Sequence, residues 1–307
     1  MRKRLEISMR MRLRRRSKLR VELAMVAMEY FWRARLKAAL RWISVATLAG
    51  AVCSAQVAGP PVCPVPPGKQ VASLRPAVGP RPSVEAARAT AETDAADPSV
   101  MVAAEPMENF GVTRYRLEDY ADCVGTGGCY WADVDAQARR AEAELQRVIA
   151  TKKDDEKLAL VLDVDETSLT NYCEMKREDY GFISVPFNEW AVSTQADMAL
   201  PGTLRLFNKA RAEGLEVFFI TGRPGEQTAA TAKNLKDAGY TGWKGLALRE
   251  GAEKAMSTVE YKSAERKKIV DAGYRIVMSV GDQWSDLDGT SKAEISVKLP
   301  NPFYYLP

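Results

Sequence analysis

Four aspartates stand where they could hold a cation and handle phosphoryl oxygens. Asp163 and Asp165 lie two apart in Asp-Val-Asp-Glu-Thr, after the apolar run 158–162. Asp282 and Asp286 lie four apart in Gly-Asp-Gln-Trp-Ser-Asp, after a second run, 274–280. A third motif, Thr221-Gly222-Arg223-Pro224, follows the run 216–220. Four carboxylates in one crevice repel each other unless a cation sits among them or some take up protons. Oxygen ligands without imidazole or thiolate suit Mg²⁺. Thr221 and the N–H groups after it, Gly222 first, could hold anionic oxygens at a helix start. Lys262 could bring a positive charge to the same place. Such parts suit phosphoryl transfer, in which one carboxylate attacks phosphorus and another protonates the leaving oxygen and then activates water. The cation and the ammonium group would neutralise the equatorial oxygens.

The elements that would bring these motifs together are legible as short apolar runs. Runs 158–162, 216–220 and 274–280 read as buried parallel strands, with shorter ones at 246–248 and 295–297. Helical stretches are expected at 133–150, 201–213, 225–238 and 259–272, with Gly214, Gly239 and Gly273 past the ends of the last three. Alternating strands and helices imply an α/β fold with right-handed crossovers and a parallel sheet. All three motifs follow a strand, and the C-terminal edge of such a sheet is where ligands bind.

Composition narrows the chemistry. The chain has 307 residues and no histidine. That excludes Ser-His-Asp and Cys-His hydrolases, histidine-nucleophile phosphatases and His-ligated zinc or iron. Of the 44 Lys/Arg, 14 fall in residues 1–41, which hold only three of the 40 Asp/Glu. The body of the chain is therefore net acidic and gives no electrostatic reason to expect nucleic acid as a partner.

Residues 1–58 read as a basic leader and signal peptide. Arg33, Arg35, Lys37 and Arg41 precede an apolar stretch of about 12 residues from Trp42, shorter than the ~20 needed to span a bilayer. The small residues around Ser54–Gly59 suit cleavage there. Export to the periplasm or medium is expected, with membrane contact only through this segment. An uncleaved anchor or lipidation at Cys53 is the alternative, and Met28 is an alternative start. Residues 59–107 are a Pro/Ala-rich linker: 59–106 carry 10 of the 16 prolines and almost no large apolar residue. Residues 108–157 form an N-terminal helical segment, and 158–307 the core. Cys123 and Cys129 flank Val-Gly-Thr-Gly-Gly, which reads as a local disulfide in an oxidising compartment or as two free thiols.

Six blocks in order carry a resemblance: Asp163-Val-Asp-Glu-Thr167, Leu200-Pro-Gly202, Phe219-Ile-Thr-Gly-Arg-Pro224, Glu260-Tyr-Lys-Ser263 with Arg266, Gly281-Asp-Gln-Trp-Ser-Asp-Leu287 and Lys298-Leu-Pro-Asn-Pro302. Across residues 108–307 the chain resembles the haloacid dehalogenase (HAD) superfamily. Within it, the likeness is to the subfamily IIIB acid phosphatases: plant acid phosphatases, vegetative storage proteins and bacterial class C enzymes. The resemblance implies a three-layer Rossmann-like HAD core with a small, mostly helical cap and N-terminal subdomain, and hydrolysis of phosphate monoesters with Mg²⁺. It implies Asp163 as nucleophile, Asp165 as general acid/base, Thr221 as phosphoryl-binding hydroxyl and Lys262 as stabilising cation. Asp163, the Asp165 carbonyl, Asp282 and Asp286 would hold the metal, Asp286 directly or through water. The insert at about 168–200 is a candidate cap, with Tyr172, Tyr180, Phe182, Phe187 and Trp190. Trp190 is the residue nominated to stack on substrate; the other reading is that these rings form the cap's own core. A storage or binding protein on the same fold is the alternative to an enzyme, and loss of the nucleophile would mark it. Asp163 is present.

Overall fold

The computed structural model describes residues 59–63 and 107–306, apart from 154, 194, 195 and 197. The leader, and most of the linker, lie outside the described residues.

Two helices, α1 (Phe110–Asp122) and α2 (Tyr130–Ile149), precede the sheet. Asn109 caps α1 by accepting from Gly111 N. In α2, Val134, Ala138, Ala141 and Leu145 form one buried stripe, as their spacing predicts. The sheet is formed by β1 (Lys157–Leu162), β4 (Glu216–Pro224), β5 (Gly245–Arg249), β6 (Tyr274–Gly281) and β7 (Ile295–Lys298). The order is β5-β4-β1-β6-β7, with every pairing parallel.

The apolar runs are continuous because both faces are covered. Leu158, Leu160 and Leu162 join Leu145 of α2, Leu206 and Phe207 of α5 (Pro201–Ala212) and Leu235 of α6 (Thr228–Asp237). Ala159 and Val161 point the other way, onto Tyr261 and Ile269 of α7 (Thr258–Asp271). Each large side chain fully removed from water here stabilises by about 1.5–3 kcal/mol. The chain leaves α5 and α7 through Gly214 (φ 78°) and Gly273 (φ 84°), left-handed positions that L-residues adopt only with strain.

Between β1 and α5 lies a smaller unit. Leu169–Thr170 (β2) pairs antiparallel with Met198–Ala199 (β3), and α3 (Tyr172–Arg177) and α4 (Ser184–Ala191) lie between them. Its core is aromatic, and α2 and the C-terminal segment complete it. Tyr130 meets Trp131 and Phe303 at 5.1 Å, and Tyr180 stacks on Phe303. Two disulfides join this region, Cys123–Cys129 and Cys63–Cys173. The first is the bonded form of the pair read from the sequence. The second ties the start of the expected linker to α3 and was not foreseen.

One boundary differs in a way that matters. A helix was expected from residue 225, directly after the Thr-Gly-Arg motif. Instead β4 runs on to Pro224, which pairs with Arg249, and the 3₁₀ turn Gly225–Gln227 precedes α6. Proline drives the residue before it to extended geometry, so Arg223 continues the strand. Thr221 therefore lies within β4 and not at a helix start.

Candidate active site

The three motifs do meet at one edge of the sheet. Leu162 is in register with Phe219 of β4 and Val280 of β6, and Asp163 N donates to Val280 O at 3.0 Å. Beyond this edge Asp163, Asp282 and Asp286 bring carboxylate oxygens within 4.8 Å of one another, all three buried. Lys262, projecting from the first turns of α7, donates to Oδ1 of both Asp163 and Asp286. Ser257 and Glu260 form a capping box that fixes the start of this helix.

Two of the carboxylates are held from behind. Asp282 accepts from Thr167 Oγ1 (3.1 Å), Gln283 Nε2 (2.7 Å) and Asn301 Nδ2 (2.6 Å). Asp286 Oδ2 accepts from Gln283 N at 2.9 Å. The fully buried Arg266 grips the loop beyond, donating to the carbonyls of Asp286 (2.6 Å), Thr290 (3.1 Å) and Ser291 (3.2 Å).

Burial pushes Asp163 well above the ordinary carboxylate range, with Asp286 adding to the effect and Lys262 opposing it. Burial, then Asp286, pushes Asp282 to about 6. Three carboxylates outnumber one ammonium, so the set retains proton affinity while Lys262 stays charged. Buried oxygen ligands with surplus negative charge, and neither imidazole nor thiolate, fit a hard divalent cation.

Asp165 faces another way. Arg223 Nη2 and Nε donate to its two oxygens at 2.7 and 3.0 Å, and Asn171 Nδ2 donates to Oδ1 at 2.8 Å. Burial raises its pKa, but Arg223, Asn171 and Lys262 together outweigh that and hold it below the ordinary range. Among the described residues, the carboxylate cluster comprises Asp163, Asp282 and Asp286 without the Asp165 side chain. Thr221 is buried at the edge, and its hydroxyl accepts from Arg223 N at 3.2 Å. Gly222 follows it, still within the strand.

Trp190 does not offer a platform in this arrangement. It is only 5% exposed, lies in the aromatic core of the cap, and has the Arg177 guanidinium 5.1 Å over its ring. This placement follows the reading in which the rings form the cap's own core. Phe182 is the exposed ring, tilted against Phe187 and Tyr304.

Sequence reasoning gave no role to Arg223, Asn171, Asn301 or Glu166. Arg223 and Glu166 sit inside quoted motifs, and Asn301 lies in the Lys-Leu-Pro-Asn-Pro block. Asn171 carries no local signal.

A parallel α/β core with an inserted cap gathers the acidic motifs at the C-terminal strand edge. The family follows from comparison with known sequences. Residues 83–307 fit the family described as HAD superfamily, subfamily IIIB (Acid phosphatase), and the chain belongs to it. It is 39% identical over 156 residues to "Acid phosphatase 1" of Solanum lycopersicum, covering 50% of this chain and 61% of that one. It is 35% identical over 150 residues to "Vegetative storage protein 1" of Arabidopsis thaliana, covering 48% and 55%. The chain thus spans less than two thirds of either relative. In fold it is similar to the class C acid phosphatase of Bacillus anthracis, with a TM-score of 0.50 and 22% identity, covering 63% of this chain and 86% of that one.

Proposed function

We propose that the protein is an exported, Mg²⁺-dependent acid phosphatase that hydrolyses small phosphate monoesters through an aspartyl-phosphate. The observation that carries this is Asp163, buried in a carboxylate–lysine cluster at the sheet edge, with Asp165 beside it but separately held.

In this reading Asp163 is the nucleophile. One carboxylate oxygen bonds to phosphorus as the bond to the leaving oxygen breaks, and Asp165 gives that oxygen a proton. Asp165 then takes a proton from water, whose oxygen attacks the acyl-phosphate and frees inorganic phosphate and Asp163. Lys262 keeps its positive charge beside Asp163, and Thr221 with the Gly222 amide orients the phosphoryl oxygens. Asp163, Asp282, Asp286 and the Asp165 carbonyl would hold Mg²⁺, which when bound neutralises charge on the phosphoryl group. Two disulfides suit an oxidising compartment, in line with export.

The storage-protein relatives favour a second reading, a non-catalytic protein on this fold. A phosphate-release assay decides between the two. The wild-type chain should turn over with Mg²⁺, fall silent in EDTA and recover on adding Mg²⁺. Asp163→Asn should keep the fold and lose at least ~1,000-fold in steady-state turnover, because an amide cannot form the acyl-phosphate. Substantial turnover by this variant, or full activity of metal-stripped protein, would exclude the mechanism.

A further inference from the structure

Asp165 is followed by a residue with unusual backbone geometry and no assigned task. Glu166 is a non-glycine residue at φ 50°, in the left-handed region, with a fully buried side chain. Backbone conformations of this kind persist where the surroundings fix them. Here the fixing contacts come from two directions. Asn171 donates its backbone N to Glu166 Oε1 at 2.6 Å and its side-chain Nδ2 to Oε2 at 3.2 Å. Tyr304, from the C-terminal segment 138 residues away, donates its hydroxyl to the same Oε2 at 2.5 Å.

The Asn171 side chain joins this lock to Asp165. Its Nδ2 has two hydrogens and faces two carboxylates, Asp165 Oδ1 at 2.8 Å and Glu166 Oε2 at 3.2 Å. Its Oδ1 is buried and has no hydrogen-bond partner among the described residues. The donor edge alone orients the amide, and Glu166 supplies one of its two acceptors. If Glu166 shifts, the amide is free to turn and Asp165 loses its donor. Arg223 would then be its main restraint.

The Tyr304 end is itself fastened. Phe303 N and Tyr304 N donate to Asn301 Oδ1 at 2.8 and 3.4 Å, and Gln283 Nε2 donates to Tyr304 O at 3.3 Å. A phenol held this firmly can transmit position.

We propose that Tyr304, Glu166 and Asn171 form a positioning relay through which the C-terminal segment sets the orientation of Asp165. The relay rests on the reading of Asp165 as the proton donor. Its hydrogen bonds reach the reacting groups at Asp165 Oδ1, so its effect belongs to proton transfer. A small misplacement of such a group has a large cost, because the donor must reach the leaving oxygen along a hydrogen bond.

The test uses Tyr304→Phe, which removes one hydroxyl and leaves the ring. The single-turnover rate of phosphoenzyme formation is compared for an alkyl and an aryl phosphate, since the aryl leaving group needs little protonation and the later water attack, which also uses Asp165, is common to both. We expect that rate to fall roughly tenfold for the alkyl ester and less than about threefold for the aryl ester, with the half-saturating ester concentration nearly unchanged. In an Asp165→Asn background the same substitution should change the alkyl-ester rate by less than about twofold, because the group it positions is gone. Equal losses on both esters, no loss on either, or a full loss in the Asp165→Asn background would each overturn the relay. Should Tyr304→Phe fail to fold, Asn171→Ala carries the same comparison with the same expected and opposing outcomes. A wild-type chain that releases phosphate from neither ester would instead remove the functional reading, and the relay with it.

Discussion

Asp165 has two opposed tasks in the proposed reaction. It must be protonated to give a proton to the leaving oxygen, and ionised to take one from water. Arg223 bears most directly on that balance, holding both carboxylate oxygens and keeping Asp165 ionised down to acid pH. The protonated form that starts the reaction is therefore confined to acid pH, and the alkaline limb of kcat should follow Asp165. Arg223→Gln removes the cation and raises the Asp165 pKa. That limb should move to higher pH by about one unit or more, while kcat at its maximum falls from lost orientation. A pH–rate series on both proteins checks this; an unmoved limb would assign it to another group. The gathering of Asp163, Asp282, Asp286 and Lys262 at one edge was legible because each sits in a short motif near a strand or helix boundary. The grip of Arg223 was not, because it depends on how β4 passes the loop after β1. The sequence left open whether Trp190 faces substrate or the cap core, since an exposed ring and a core ring read alike in one dimension.

The strand ends act as a single device. Asp163 and Asp282 lie just past the ends of β1 and β6, and Thr221 lies level with them within the adjoining β4, so register brings them together. Continuous apolar runs bounded by charge made these strands readable. The two-residue strands β2 and β3 are too short to show any period, and α1 has one fully buried residue and so little pattern. The last residue of β6 carries a finer constraint. A Cβ at Gly281 would come within 2.7 Å of Asp286 Cγ, so this strand end must lack a side chain for Asp286 to fold back beside Lys262. Its φ is not left-handed, so alanine would strain the contact and not the backbone. Gly281→Ala should weaken Mg²⁺ binding roughly 10–100-fold, the loss typical when the support of a metal ligand is disturbed. Titration calorimetry reads this, with circular dichroism to verify the fold. Unchanged affinity would show that Asp286 is not a ligand, directly or through water.

At the scale of the whole molecule, the site opposes the fold that carries it when no cation is bound. Burial raises Asp163, brings Asp282 to about 6 and brings Glu166 to about 8, all above their values in an unfolded chain. A carboxyl group with a raised folded pKa contributes stability that is complete below its unfolded pKa, near 4, and is lost as pH rises through the folded value. Asp165 runs the other way: its contribution is present above its unfolded pKa and lost as pH falls through the folded one. Three groups against one make the metal-free protein most stable in mild acid and progressively weaker toward pH 8. For Asp282 alone the loss is roughly 3 kcal/mol, at 1.36 kcal/mol per pH unit. A divalent cation competes with those protons, so its stabilising effect must grow as they leave. Thermal melts in EDTA should therefore show Tm falling from pH 5 to pH 8, and millimolar Mg²⁺ should raise Tm more at pH 8 than at pH 5. A Mg²⁺ gain of the same size at both pH values would mean that cation and protons do not share the carboxylates of Asp163, Asp282 and Asp286.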